Sequence, residues 1–535
     1  MKARLLALGA GAVSGLLMYA AFPPAEVMQL GWLALAPLLL ACRRAGPGLA
    51  FMSGLACGLT FWLFSLSWIT HVTSAGWFIL SAACALLVAG FAAAASDLSR
   101  RLNGMPAENM LLMLGWPALW VGVETLRTQL GFSWNALGVS QYRNLGLIQC
   151  AAWGGVGAVS FILVLVSSAL ALTFERYIAQ GRCCARRPSF ELMAAALVLA
   201  AAVLGGNRTL RGLAQSRTNL RAAIVQPNIP QVQKWSDEFI DFIYGRLDSG
   251  TRAALRAPGL DIVVWPETAT PDFLRYSTSS WALVSALLTN GVPMLIGSMD
   301  AEFLPGDSMA PPSAFGQGRP ARRGFARYFN VSMLFEPGIE EPRVYDKQHL
   351  VIFGEYIPFE EIIPFFRNLT PIETSFSPGS GSACFPVPRR GHLISPLICF
   401  EDTLPWLARA AVRSGARLLV NQTNDAWFDE SAASRQHMSH CVFRCVENRV
   451  PAIRAANTGV SCVIDRTGAV RDRISRVGPG AEQADFLVAD LWVPPADMPL
   501  TVYSRTGDAL GLGCVVIWLA FALFRARLFP RSPER

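Results

Sequence analysis

Apolar residues are spread unevenly along the chain. Eight long apolar runs stand out, at about 5–22, 27–42, 49–70, 75–95, 109–126, 152–174, 189–206 and 508–524. A helix that crosses a membrane needs roughly 20 mostly apolar residues. The runs therefore predict a helical bundle of about eight spans, with the second and fifth short for the purpose. Between 208 and 505 the pattern changes to short apolar runs separated by mixed segments. Residues 222–226, 261–265, 293–297, 331–335, 393–399, 417–423 and 460–465 read as strands. Segments 236–256, 279–290 and 434–447 have helix length, the last preceding a strand near 451–455. Alternation of strand and helix over this length predicts an α/β domain with covered sheets. The expected plan is a membrane bundle over 1–207 with about seven spans, an extramembrane α/β domain over 208–505, and a final span with its tail over 506–535.

Composition agrees with that division. The 535-residue chain is 52% hydrophobic and 16% charged, too apolar for an ordinary soluble enzyme. Its net charge of +8 would suit a nucleic-acid partner, but the arginines sit in short loops beside apolar runs, so no nucleic-acid binding is expected. One set of loops carries Lys2, Arg4, Arg43, Arg44, Arg100, Arg101, Arg176, Arg182, Arg186, Arg187, Arg525, Arg527, Arg531 and Arg535. The opposite set has no Lys or Arg at 23–26 or 71–74, and only Arg127 and Arg143 at 127–151. Positive charge marks the cytoplasmic side. Both termini are therefore expected in the cytoplasm and 208–505 in the periplasm of a bacterium, in a multi-pass protein of the inner membrane. The first run resembles a signal peptide, with Lys2 and Arg4 ahead of it and Tyr19-Ala20-Ala21 at its end. The six apolar runs that follow favour an uncleaved first span. The loop at 127–151 is rich in aromatic and small residues. It reads either as an interfacial loop or as a wall of a lipid-facing site. Intramembrane charges are few (Asp97, Glu124 and Glu191, near span ends), which speaks against a transport pathway. The stretch 304–320 reads as a surface loop.

Three stretches of the α/β domain carry candidate chemistry. In VVWPETATP, 263–271, an apolar strand stops at Pro266 and leaves Glu267 at its end, where active sites of α/β sheets gather. A carboxylate facing a helix start would look the same. In YDKQHLVIFGEYIPF, 345–359, Lys347 stands among apolar and aromatic residues with Glu355 further on; alone, it equally fits a solvated charge. In LISPLICFED, 393–402, a buried strand breaks into Cys399 with Glu401 and Asp402 behind it. Such a cysteine is often only a small hydrophobe. As a nucleophile it would need a base and a cation.

Taken together and in this chain order, Glu267, Lys347 and Cys399 resemble the Glu–Lys–Cys triad of the nitrilase superfamily. Apolar spans, such a domain and one last span together resemble the membrane-bound apolipoprotein N-acyltransferase family within it. VQPNIPQVQKW (225–235), WPET, YDKQHLVIFGEYIPFE, LICFED, TNDAWF (423–428) and ANTG (456–459) carry the resemblance along the soluble part. It implies an α-β-β-α sandwich and transfer of a fatty acyl chain from a phospholipid. The acceptor would be the α-amino group of a lipoprotein's diacylglyceryl-cysteine, reached through a cysteine thioester. Cys399 would be the nucleophile, Glu267 the base, and Lys347 the oxyanion partner with the Phe400 amide. Glu355, Glu401 and Asn330 would support them, and Trp235 and Trp427 would line or gate the entrance. The donor would be phosphatidylethanolamine-like, with no cofactor and no metal, and the enzyme is expected to work as a monomer. Three positions depart from the family wording: Phe400 where tyrosine is common, Ile352 where proline is expected, and Asp429 where glycine is common. His437, Cys441 and Cys445 share a helix face at metal-ligand spacing, but no fourth ligand is evident. Cys384, Cys399, Cys441, Cys445 and Cys462 lie in the soluble part, an odd number that leaves at least one thiol free.

Overall fold

The computed structural model describes residues 1–102, 106–180, 189–213, 217–234, 236–303, 325–357, 375–474 and 484–528. They form two compact units. One contains 1–70, 74–214 and 501–535; the other contains 71–73 and 215–500.

The first unit is helical. Among the described residues five helices are long and apolar enough to cross a membrane: Lys2–Ala20, Pro47–Ser65, Ser74–Arg100, Ala151–Tyr177 and Phe190–Leu213. That is fewer than the eight runs suggested. The run at 27–42 divides into a 3-10 turn, Met28–Trp32, and a nine-residue helix, Ala36–Arg44, with a proline in its first turn. Pro37 has no N–H and a fixed φ, so it begins a helix rather than continuing one. Nine residues rise only ~14 Å, about half the hydrocarbon core. Pro106–Gln129 contains Glu108, Arg127 and an internal proline, Pro117. The 127–151 loop is not simply interfacial, because residues 133–142 are buried within this unit. The Arg127 guanidinium lies over the Trp62 ring at 4.6 Å, and the Asn135 amide donates to Ser65 Oγ at 2.8 Å.

The second unit contains two six-stranded sheets. The strands are β1 (Leu220–Gln226), β2 (Ile262–Val264), β3 (Met294–Phe303), β4 (Phe325–Phe335), β5 (Arg343–Asp346), β6 (Phe385–Pro386), β7 (Leu393–Ile398), β8 (Leu418–Thr423), β9 (Ala452–Ala456), β10 (Cys462–Ile464), β11 (Val470–Arg473) and β12 (Asp485–Leu491). The sheet orders are β12-β1-β2-β3-β4-β5 and β11-β10-β9-β8-β7-β6. In the first sheet β1, β2 and β3 are parallel, and β4 then β5 each reverse direction. In the second, β7, β8 and β9 are parallel.

Period-two alternation explains the layers. Ala222, Ile224, Ile262 and Val264 face Ile394, Ile398, Leu418 and Val420 in one core between the sheets. The alternate residues Ala223, Val225, Val263 and Trp265 pack with Ile243, Leu247, Val284 and Leu287, which come from the helices Ile240–Leu255 and Thr278–Leu288. Pro405–Arg413 and Ala433–Asn448 accompany the second sheet. The result is the nitrilase-like α-β-β-α sandwich. Strands β5, β6, β11 and β12 were not legible from apolar pattern. β12 is an edge strand and is only partly buried, so its polar residues break up the apolar signal. The 304–320 stretch lies outside the described residues.

Candidate active site

Parallel strands direct their carboxyl ends to one side, and the candidate residues emerge there. Glu267 follows β2 across Trp265 and Pro266. Its backbone runs so close to β3 that a Cβ on Gly297 would sit 2.3 Å from the Pro266 carbonyl oxygen and 2.7 Å from the Glu267 Cα. Only glycine at that place on β3 leaves the room. Lys347 directly follows β5, and its backbone N–H donates to the Asn330 carbonyl on β4 at 2.9 Å. Cys399 directly follows β7 with φ +51°, a left-handed conformation that is costly for a residue with a Cβ. The chain then turns into the 3-10 segment Cys399–Thr403. The sharp turn from strand to helix holds the thiol at the sheet's end.

Glu267, Lys347, Asn330 and Glu355 form one buried cluster. Lys347 is 1% exposed, and its ammonium donates to Glu355 Oε1 at 2.8 Å and to Glu267 Oε1 at 3.4 Å. The Asn330 amide donates to the same two oxygens, at 2.8 Å each. The second Glu267 oxygen accepts the backbone N–H of Asn424 at 2.8 Å. Burial would draw the Lys347 ammonium down, but Glu355 and Glu267 outweigh it and hold the amine well above its ordinary value. The half-buried Cys399 has its thiol pushed up, chiefly by burial and the Glu267 carboxylate, while Lys347 pulls the other way. Burial and Glu267 thus favour the neutral thiol over the thiolate.

Glu401 does not bond Lys347. Its oxygens accept the N–H groups of Ile398 at 2.7 Å, Gln348 at 2.8 Å and His349 at 3.1 Å. They also accept the Tyr345 hydroxyl at 2.9 and 3.0 Å. Burial pushes this carboxyl up against those donors. Glu401 therefore fastens the cysteine turn to the segment that carries Lys347. The Phe400 ring stacks on His349 with centroids 6.2 Å apart. Trp427 is partly exposed in the turn Asp425–Phe428. Trp235 lies outside the described residues.

Sequence reading missed the layer beneath the thiol. The Cys399 carbonyl accepts from Asn421 Nδ2 at 3.0 Å and lies 3.1 Å from His437 Nε2. The His437 ring sits between Asp402 at 2.8 Å and Asp425 at 3.2 Å. Arg454, fully buried, pairs with the same carboxylates at 3.1 and 2.9 Å. Burial would raise the Asp425 carboxyl, but Arg454 and His437 bring it down to about 2. His437 thus belongs to an ion network rather than to a ligand set with Cys441 and Cys445. No group of three or more His, Cys, Asp or Glu placed to hold a metal ion occurs among the described residues. Lys234 was also missed: it is 2% exposed, and its ammonium donates to the Glu267 backbone carbonyl at 3.2 Å.

Ile352, a departure from the family wording, is 54% exposed, which leaves it free of packing demands. Asp429 adopts φ +50° and ψ −158°, a region almost reserved for glycine. Asp429→Gly is expected to raise stability by about 1 kcal/mol, as relief of strain outweighs the added chain entropy. Thermal unfolding in detergent checks this; an unchanged or lower midpoint would refute the strain argument.

Comparison with known proteins gives this geometry a context. Residues 14–169 match the apolipoprotein N-acyltransferase N-terminal domain, and 212–491 match the carbon-nitrogen hydrolase family. An apolipoprotein N-acyltransferase of Geobacter metallireducens is 36% identical over 516 residues, covering 94% of this chain and 92% of the relative. One from Rhodopseudomonas palustris is 29% identical, with 91% and 88% covered. Among solved structures, an amidase from Nesterenkonia sp. aligns with 52% of this chain and 92% of its own, at 17% identity and TM-score 0.34. A nitrilase-superfamily member from Saccharomyces cerevisiae aligns with 55% and 94%, at 16% identity and TM-score 0.35. With both of its parts matched and relatives similar along nearly its whole length, the chain belongs to the apolipoprotein N-acyltransferase family.

Proposed function

We propose that this membrane-bound enzyme moves a fatty acyl chain from a phospholipid to the free α-amino group of a lipoprotein's N-terminal diacylglyceryl-cysteine, in two steps through Cys399. The observation that carries the reading is the meeting of a buried base, a buried cation and a cysteine in a left-handed turn, in a chain whose relatives are apolipoprotein N-acyltransferases. In the first step Glu267 takes the thiol proton as the sulfur attacks the ester carbonyl. Lys347, with the Phe400 amide, steadies the oxyanion. The ester C–O bond breaks, and Glu267 returns its proton to the leaving lysophospholipid alkoxide. In the second step the amine attacks the thioester, Glu267 accepts its proton, the C–S bond breaks and the thiolate is reprotonated. A thioester acylates an amine downhill because the amide is the more stable product. Asn330 and Glu355 hold Lys347 and Glu267 in place, and Glu401 fixes the turn. Trp235 and Trp427 would line or gate the substrate entrance, as in the family resemblance.

In this reading 1–207 and 506–535 lie in the bacterial inner membrane. The loop arginines support a topology with both termini in the cytoplasm and residues 208–505 in the periplasm. The donor is phosphatidylethanolamine-like, and the enzyme acts as a monomer.

The test is intact mass of the purified protein after incubation with phosphatidylethanolamine alone, beside Cys399→Ala. The expected result is a fatty-acyl increase that hydroxylamine removes, that Cys399→Ala lacks, and that an added diacylglyceryl-cysteine peptide discharges. An adduct that forms equally in Cys399→Ala would overturn the nucleophile. One that decays equally fast without the peptide would make the enzyme a hydrolase.

A further inference from the structure

Lysine is rarely buried unless its charge is used. Lys234 closes the short helix Gln231–Lys234 and is 2% exposed. Its ammonium reaches the carbonyl of Glu267, the residue assigned as base. Among the described residues, Glu267, from the end of β2, and Cys399, which follows β7, hold its charge up. Behind these stand Lys347 and Glu355, and beyond the thiol Asp425, itself paired with Arg454 and His437.

Charge counting gives this lysine a role. With both carboxylates ionised, the hydrogen-bonded Glu267–Lys347–Glu355 cluster holds two negative charges and one positive. When the Cys399 proton moves to Glu267, one negative charge passes from the carboxylate to the sulfur and the sum is unchanged. A single ammonium thus serves two anions both before and after the transfer, in a site where unbalanced charge is costly.

We propose that Lys234 is the second cation of the active site, placed against Glu267 and Cys399 so that the cluster remains neutral before and after the thiol gives up its proton. The proposal rests on Cys399 being the nucleophile. Lys234 acts as a positioning and electrostatic residue: it anchors the base's backbone and favours the developing thiolate, while Lys347 serves the oxyanion. Burial lowers the Lys234 amine to about 8, with Glu267 and Cys399 holding it up against a larger fall. Lys347 is held far above this range. Lys234 is therefore the lysine of the site that loses its charge as pH rises through about 8.

The experiment follows acyl-adduct formation from phosphatidylethanolamine vesicles by intact mass, between about pH 6 and 10, in the full-length enzyme, Lys234→Met and Lys234→Arg. The wild-type rate is expected to fall above about pH 8. Lys234→Met should be slower by roughly 10- to 100-fold at pH 7 and should lack that alkaline limb. Lys234→Arg should recover most of the rate and keep it to higher pH, because a guanidinium stays charged. A well-folded Lys234→Met with wild-type rate and limb would overturn the proposal. If Lys234→Met does not fold, Lys234→Arg decides: an alkaline limb coincident with wild type refutes a charge role. Cys399→Ala is run alongside. An adduct persisting there sinks the nucleophile itself, whereas its loss together with an unmoved limb sinks only the role of Lys234.

Discussion

Lys347→Met is expected to slow acyl-adduct formation by at least about 10³-fold, the scale of removing a key donor to a developing oxyanion. The cause is twofold. The ammonium that would meet the oxyanion is gone, and Glu267 and Glu355 lose the cation they share at 3.4 and 2.8 Å. Two buried carboxylates then face each other across Asn330, which still donates to both. Their repulsion without the ammonium between them disturbs the place of Glu267 relative to the thiol. Lys347→Arg should rescue little, since Glu355 and Glu267 hold the ammonium as a point charge at 2.8 and 3.4 Å and a longer planar fork displaces it from both. Single-turnover intact mass measures the rate. A Lys347→Met enzyme retaining a tenth or more of wild-type rate would remove Lys347 from the mechanism.

Arg454→Met is expected to have the largest effect on stability, about 3–5 kcal/mol. Arg454 is 0% exposed and holds Asp402 and Asp425 together beneath the nucleophile's carbonyl. Without it His437 is the one cation left between two buried carboxylates, and Asp425 loses the main cause of its low pKa. For a domain of this size the loss corresponds to a fall of roughly 10 °C in the unfolding midpoint. Thermal unfolding followed by near-ultraviolet circular dichroism checks it. An unchanged midpoint would mean that the network contributes specificity rather than stability.

These residues also mark where sequence reading stopped. Five of the eight apolar runs, most strands of the two sheets and the turn at 393–402 were legible because each is announced locally, by apolar length, period-two alternation or an abrupt stop. Pro266 set Glu267 at a strand end, and Leu393–Ile398 pointed to Cys399. Lys234 and Arg454 carry no such sign. In one dimension a buried, paired charge looks the same as a solvated one. Only the fold shows that Arg454 on β9 meets Asp402 and Asp425 from two other segments. The broken run at 27–42 was misjudged for the opposite reason: its composition suits a span, but Pro37 restarts the helix. Asp429 was visible as a departure, although its backbone angles were not.

The two sheets contribute different members of the site. Glu267 and Lys347 come from the ends of β2 and β5, and Cys399 follows β7. The first sheet is finished only when β12, nearly 260 residues after β1 ends, pairs with that strand. A ribosome delivers these segments in order. The early half of the domain emerges with Glu267 and Lys347, and Cys399 follows while the core between the sheets still lacks Ala489 and Leu491 of β12. A chain ending before residue 485 therefore has Glu267, Lys347 and Cys399 in hand but an open edge on β1 and an unfilled core between the two sheets that hold them.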